Sequence, residues 1–556
     1  MRRISGLIFS FVMLVVAVGC GGGSSKSSTP IVNPASVTPA AANVPIGGTQ
    51  QFTGTGFPGA VTWTINPQVG TIDANGLYQA PASFPSPDNL TVTASSGGMT
   101  AGAAATVVFP NDNGAAQPAP IKLGTSGANS ADVGTKVCCI GTLGSLWTRG
   151  TGTFILSNNH VLDRSGSGVP GEAIQQPGQA ACFKTPITVA NLTQGAALIP
   201  AGTAQGRTGP APSNVDAALA AIIPGQVDSS GAILDLGAAG STSIGAAAPS
   251  NVAPIPIPIV GMSVAKSGRT TGLTCSTITS TNADIVIAYE TSCGTNVTAF
   301  NATFRGQVVI NGGNFSGAGD SGSLVVDSGN ARPVALLYGG SPADTVANPL
   351  QDTVDSQAHV APGVLTALNN GSPLAVVGGP DHPVSCAPTA RSSSKQVGAL
   401  SASVPLSAQE RQRVAAVQGR AGALLTDPAI NSITIGTSAD HPGEGALVVS
   451  TSRSLAFPIP PVIDGVRTRV VFANANAAPT VGQFQIDHAL AVKDAHVAQF
   501  FGKPGIQGVG VSASVDNPAE GAVSIYVIQG EAHPPIPPVL DGVRTRIFEG
   551  PRFKAF

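Results

Sequence analysis

Apolar runs in this chain are short, and glycine, proline, asparagine or serine follows closely on most of them. Val61-Thr62-Trp63-Thr64-Ile65, Thr153-Phe154-Ile155-Leu156 and Pro333-Val334-Ala335-Leu336-Leu337 are typical. Runs of this length suit strands and are too short for most helices. With 69 Gly and 45 Pro among 556 residues, and 42% of residues hydrophobic, the chain is expected to be mainly β, with many turns and little disorder. At roughly 100 to 200 residues per domain, that length predicts three or four domains.

Charge narrows the range of partners. Only 10% of residues are charged and the formal net charge is −2, whereas about 25% charged residues is usual for a soluble domain. This balance argues against a nucleic-acid partner. Ser, Thr, Asn and Gly meet water instead, a habit of exported proteins. The first residues agree: Arg2-Arg3 precedes an apolar stretch from Leu7 to Val18, and Ala17-Val18-Gly19 leads to Cys20. Residues 1–19 are therefore expected to be a cleaved signal, since the stretch falls short of the ~20 residues a membrane-spanning helix needs. The segment resembles a bacterial lipoprotein signal, with Ala17 where leucine is usual. That resemblance implies a lipid on Cys20, a place in the bacterial cell envelope, and contact with a membrane through this lipid only. Ordinary signal cleavage would instead leave a secreted protein. Gly21-Gly22-Gly23-Ser24-Ser25-Lys26-Ser27-Ser28 makes residues 20–30 a flexible tether.

Setting Cys20 aside, Cys138, Cys139, Cys182, Cys275, Cys293 and Cys386 form an even set, as a disulfide framework in an oxidising compartment requires. Sequence cannot choose among the pairings. Cys275 with Cys293, flanking a Ser/Thr/Asn-rich hairpin, is the expected bridge. No cysteine or histidine cluster has the spacing of a metal site, so no metal is expected.

Residues 31–109 read as short strands in a small β-sandwich, and they resemble a group-2 bacterial Ig-like domain. The resemblance rests on Gly47-Gly48 before Phe52, Trp63 on a central strand, and GTIDANGLYQAP at 70–81. It implies a spacer. A linker at 110–120 leads to a β-rich region at 121–372, and a second linker at 373–400 leads to a helix expected from Ala408 to Leu425. Residues 401–556 contain a duplication, in units of about 401–479 and 480–556. DPAINSITIGTSADHPGEGAL at 427–447 matches KPGIQGVGVSASVDNPAEGAV at 503–523, and FPIPPVIDGVRTRV at 457–470 matches PPIPPVLDGVRTRI at 534–547. Each unit reads as an α+β module, and two such small modules are expected to pack together.

The middle region carries the chemistry, in three segments. The strand Thr153-Phe154-Ile155-Leu156 ends at Ser157-Asn158-Asn159-His160, which fixes an imidazole on a rigid support while a loop exposes it, as a general base requires. Asp216 opens the apolar run Ala217-Ala218-Leu219-Ala220. A carboxylate there is costly unless an imidazole N–H uses it. Gly317-Ala318-Gly319-Asp320-Ser321-Gly322-Ser323 surrounds a serine with glycines, so the backbone can turn and aim the Gly319 and Ser321 N–H groups at a developing oxyanion.

In that order, His160, Asp216 and Ser321 resemble the triad of the trypsin-like (chymotrypsin-fold) serine proteases, in a bacterial subgroup with an LSNNHVL histidine motif. The resemblance covers residues 121–372. It implies a chymotrypsin-like double β-barrel, an oxyanion hole at Gly319 and Ser321, a substrate-pairing strand at Pro333 to Gly340, a protein or peptide substrate, and no cofactor. Val161 and Ser323 depart from the animal relatives and match bacterial ones. Phe315 stands where trypsin-type enzymes place an aspartate under the primary pocket, so cleavage beside a small or apolar residue is expected. Lys266-Ser267-Gly268-Arg269-Thr270-Thr271-Gly272 lacks the spacing of a phosphate loop and is expected to be a structural turn. The competing expectation is a catalytically silent, surface-binding lipoprotein.

Overall fold

The computed structural model describes residues 35–45, 47–81, 89–108, 113–132, 140–178, 186–201, 214–238, 244–290, 298–312, 315–386, 406–452, 458–473 and 479–556. The expected signal at 1–19, Cys20 with its tether at 20–30, and Cys138, Cys139, Cys182 and Cys293 lie outside these residues.

The described residues between 35 and 108 form strands around their own apolar core of Phe52, Tyr78, Leu90, Val92 and Val107. A four-stranded sheet runs Ala41–Pro45, Met99–Val108, Asn89–Ser96, Thr62–Asn66, and its first pair is parallel. Trp63 therefore lies on an edge strand, not a central one. Its ring fits because residue 76 is glycine: a Cβ there would come within 2.7 Å of the indole.

Two larger sheets follow. The first orders Gly141–Leu143, Thr125–Asn129, Ala173–Gln176, Ile187–Gly195, Ala218–Ile222, Gly152–Ser157, Ser145–Arg149 and Leu374–Val376. Trp147, Ile155, Leu156, Leu192 and Leu219 on its strands belong to one buried cluster. The second sheet orders Ser263–Gly268, Leu324–Asp327, Pro333–Gly340, Asp344–Pro349, Thr298–Asn311 and Gly272–Glu290. Gly272–Glu290 also pairs back with Ser263–Gly268, so these strands close into a ring. Closure leaves these strands without a free edge except where one outruns its neighbour, as Tyr338 to Gly340 do beyond the last pair with Leu324–Asp327, Leu336 with Leu324.

Cys275 and Cys386 are disulfide-bonded, with Cα atoms 5.9 Å apart. This corrects the expected Cys275–Cys293 bridge. Cys275 sits early in Gly272–Glu290, opposite Ala265, and both bonded cysteines pack against the first sheet's core. A partner from far along the chain therefore reaches it.

The duplicated units each run helix and then three longer strands, with a two-residue strand, Val462–Ile463 or Val539–Leu540, before the last. In the first, Ala408–Gln418 precedes Ile430–Thr437, Gly445–Thr451 and Val466–Phe472; in the second, Gln483–Phe500 precedes Ile506–Ala513, Gly521–Ile528 and Val543–Gly550. The first helix stops at Gln418 and continues as a 3-10 turn over Arg420–Thr426. It starts at Ser407, whose side chain accepts from the Glu410 N–H and so satisfies one open donor. In the second unit, Ile506–Ala513 pairs antiparallel with Gly272–Glu290 and extends the ring's sheet. Buried Lys493, on the helix Gln483–Phe500, places Nζ 3.0 Å from Asp284 Oδ2 on the same barrel strand. The second unit is thereby fixed to the second barrel sheet by backbone pairing and by an ion pair.

Candidate active site

His160 follows the strand Gly152–Ser157 in the short helix Asn159–Leu162; Asp216 directly precedes the strand Ala218–Ile222; Ser321 lies in the turn before Leu324–Asp327. The first two strands are neighbours, with Ser157 opposite Ala218. That register brings imidazole and carboxylate together. His160 Nδ1 stands 2.6 Å from Asp216 Oδ2, and the His160 backbone N–H donates to Asp216 Oδ1 at 3.1 Å.

Asp216 is fully buried, and its desolvation is offset by a full set of partners. The Tyr289 hydroxyl donates to Oδ2 at 2.7 Å. The Asp216 backbone carbonyl accepts from Asn158 Nδ2 at 2.6 Å and from Asn348 Nδ2 at 3.3 Å. Burial, then the Asp216 charge, pushes the Tyr289 phenol well above its ordinary pKa, so the hydroxyl stays protonated and remains a donor. For His160, burial opposes the charged ring. The Asp216 charge and hydrogen bond, the Phe556 carbonyl and more distant Asp132 outweigh it, and the net shift is upward. In this arrangement Nδ1 faces the carboxylate and Nε2 the Phe556 oxygen, both acceptors, so both ring nitrogens donate; once that oxygen leaves, a neutral ring with a carboxylate at Nδ1 keeps Nε2 as its acceptor.

Ser321 is held in a tight turn that only glycine permits on one side. Gly322 has φ +92°, and a Cβ on it would stand 2.0 Å from Ser157 Oγ and 2.3 Å from the Thr142 carbonyl. The Thr142 N–H donates to the Ser321 carbonyl and the Gly322 N–H to the Leu337 carbonyl, which fastens the turn to both sheets. Gly319 has φ +100°, a left-handed conformation that side chains disfavour. The Ala318 carbonyl is engaged by Thr270 Oγ1 at 2.7 Å, and the Asp320 carbonyl by Ser323 Oγ at 2.6 Å. Because C=O and N–H point oppositely across a trans peptide, these bonds turn the Gly319 and Ser321 N–H groups away from Thr270 and Ser323.

Asp320, the neighbour of the serine, is buried with an equally buried lysine. Its Oδ1 accepts from the Thr270 N–H at 2.8 Å, its Oδ2 accepts from Thr271 Oγ1 at 2.7 Å and the Gly317 N–H at 3.0 Å, and Lys266 Nζ lies 3.5 Å from Oδ2. Burial lowers the Lys266 pKa and Asp320 raises it, with a net fall. Lys266 also donates to Thr271 Oγ1 and to the Gly272 carbonyl. The turn at 266–272 is thus a clamp for the serine loop.

The Ser321 hydroxyl donates to the Phe556 carbonyl oxygen at 2.7 Å, and His160 Nε2 stands 3.0 Å from that same oxygen. The serine and histidine side chains therefore meet on one oxygen. Sequence reasoning missed Tyr289 and Phe556; it expected 266–272 to be a structural turn, and what it did not show is that Lys266 pairs with Asp320 there. Tyr289 is one aromatic in a long strand, and only its buried neighbours explain its role. Among the described residues, no group of His, Cys, Asp and Glu is arranged to hold a metal ion.

No protein-family profile matches the chain, and no curated protein does. Among solved structures it is similar to Protease A of Thermobifida fusca, at 16% identity and a TM-score of 0.27, over 46% of this chain and 98% of that one. It is also similar to the Nocardiopsis protease, at 15% identity and 0.25, over 41% and 92%. A third is the Cellulomonas bogoriensis chymotrypsin, at 16% identity and 0.23, over 41% and 91%. At these scores the likeness adds nothing to the geometry.

Proposed function

We propose that the chain is a serine endopeptidase of the double β-barrel kind, in which Ser321 attacks a peptide carbonyl carbon. His160 takes the hydroxyl proton at Nε2 and passes it to the leaving amine; Asp216 holds the ring's orientation and steadies its charged form. The new C–O bond gives a tetrahedral oxyanion, received by the N–H groups of Gly319 and Ser321. Collapse breaks the C–N bond and leaves an acyl-enzyme, which water hydrolyses with His160 again as base. The observation that carries this reading is the convergence of Ser321 Oγ and His160 Nε2 on one carbonyl oxygen, with Asp216 behind the imidazole.

The remaining assignments belong to the same proposal. Residues 1–19 are the signal, Cys20 carries lipid, residues 31–109 are an Ig-like spacer, and the protein works in the bacterial cell envelope on protein or peptide substrates. Prolonged reaction of the purified full chain with a fluorophosphonate, followed by peptide mass spectrometry, tests the chemistry. The adduct is expected on Ser321 and absent from Ser321→Ala. A folded chain that takes no adduct, or takes it elsewhere, points to the silent, surface-binding alternative.

A further inference from the structure

Phe556 belongs to a segment that lies along the active-site edge of the second barrel. Lys554–Ala555 pairs antiparallel with Pro333–Gly340, with Ala555 opposite Gly339 and Lys554 opposite Gly340. The Phe556 N–H donates to the Tyr338 carbonyl at 3.2 Å, and Gly322, next to the nucleophile, bonds the same strand through Leu337. This backbone ladder is the way an extended peptide adds to a sheet edge, with affinity from main-chain bonds and selectivity from side-chain pockets. The segment ends with its carbonyl on Ser321 Oγ and His160 Nε2.

The Phe556 side chain has a seat. It packs on the barrel cluster that contains Phe315, Val308 and Leu337. Gly340 opens the way to it, since a Cβ there would come within 3.0 Å of the phenyl Cζ. Phe315, buried in that cluster, offers an apolar wall and no charge for a basic side chain.

We infer that residues 554–556 are an intramolecular occupant of the acyl side of the cleft, and that they also report its substrate class: peptides with an aromatic residue before the cleaved bond. This rests on the serine-protease reading of the site. The tether is short. Phe553 is buried, with its N–H donating to Gln507 Oε1 at 2.8 Å on the second repeat. The repeat that is paired to the barrel therefore delivers the segment, and its effective concentration at the cleft is on the order of millimolar or more. A weak ligand suffices to block the site at that concentration, and a substrate must displace it.

The test compares the full chain with Phe556→Asp, which puts a carboxylate in an apolar seat, and with a form lacking only 554–556. Thermal melts check that all three are folded. The readouts are the rate of fluorophosphonate labelling at Ser321 and the hydrolysis of Lys-Ala-Phe, Lys-Ala-Ala and Lys-Ala-Lys p-nitroanilides. Both altered chains are expected to label at least tenfold faster than the full chain, to prefer the Phe substrate at least tenfold, and to be inhibited by the free peptide Arg-Phe-Lys-Ala-Phe. Equal labelling rates in all three chains overturn the occupancy while leaving the nucleophile standing. Faster labelling with no preference for Phe overturns the substrate class. No labelling of any folded chain overturns the serine-protease reading itself, and the inference falls with it.

Discussion

Asp216 has two oxygens and three donors around them: the His160 N–H, the His160 ring and the Tyr289 hydroxyl. Replacing Asp216 with Asn keeps the shape but favours the wrong imidazole tautomer, and kcat is expected to drop roughly 10,000-fold. Tyr289→Phe removes one donor and leaves the ring in place; kcat/KM is expected to fall about tenfold, a loss in the range of a hydrogen bond to a charged group. Steady-state kinetics on a Phe p-nitroanilide with the 554–556 segment removed reads both. The pH profile follows from the upward shift of His160. Attack needs the neutral ring, so activity is present above its pKa and lost as pH falls through it. Removing residues 554–556 takes away the Phe556 carbonyl but leaves the Asp216 charge and hydrogen bond, so in that chain the acid limb of kcat/KM is expected at or above the ordinary histidine value of about 6.5. His160, Asp216 and Ser321, which the structure brings together, were legible because a strand-end histidine, an acid opening an apolar strand and a serine among glycines stand out locally. Tyr289 and the pairing of Lys266 with Asp320 were not, since each depends on a partner brought to it by sheet register.

At the scale of elements, the duplication is most informative where the two units meet. Asp440 accepts from Ser514 Oγ at 2.5 Å and the Val515 N–H at 2.7 Å, and Asp516 accepts from Ser438 Oγ at 2.5 Å and the Ala439 N–H at 2.6 Å. Arg467 and Arg544 repeat the exchange. Each reaches the threonine of the other unit's GVRTR strand, at 3.0 Å to Thr545 Oγ1 and 2.9 Å to Thr468 Oγ1, while bonding a glutamate of its own unit. Both guanidiniums are buried. Arg544→Ala leaves Glu520 and the Thr468 hydrogen-bonding groups without it and is expected to cost about 3 to 5 kcal/mol, read by chemical denaturation. Asp440, Asp516, Arg467 and Arg544 were visible as matched letters in the two copies. Their reciprocity was not, because alignment shows which residues repeat and not which copy they contact. The Cys275–Cys386 bridge was illegible for a similar reason: sequence proximity favoured Cys293, whereas the disulfide depends on which strands share a core.

Across the whole molecule, one continuous sheet links the second repeat to the ring of strands that holds Ser321. The helix Gln483–Phe500 adds the buried Lys493–Asp284 pair to this joint. Lys493→Ala leaves a buried carboxylate with less compensation. It is expected to loosen the repeat and raise the fluorophosphonate labelling rate several-fold, an effect that should vanish once residues 554–556 are removed. The central claim, that Ser321 forms an acyl-enzyme with a peptide held on the Pro333–Gly340 edge, is tested most directly by active-site titration. Lys-Ala-Phe p-nitrophenyl ester is mixed with the chain lacking 554–556, p-nitrophenol is followed in time, and the acid-quenched protein is weighed. The account predicts a burst near one equivalent per chain and the Lys-Ala-Phe acyl mass on Ser321. A steady release without a burst, an acyl group on another residue, or the same burst from Ser321→Ala would contradict it.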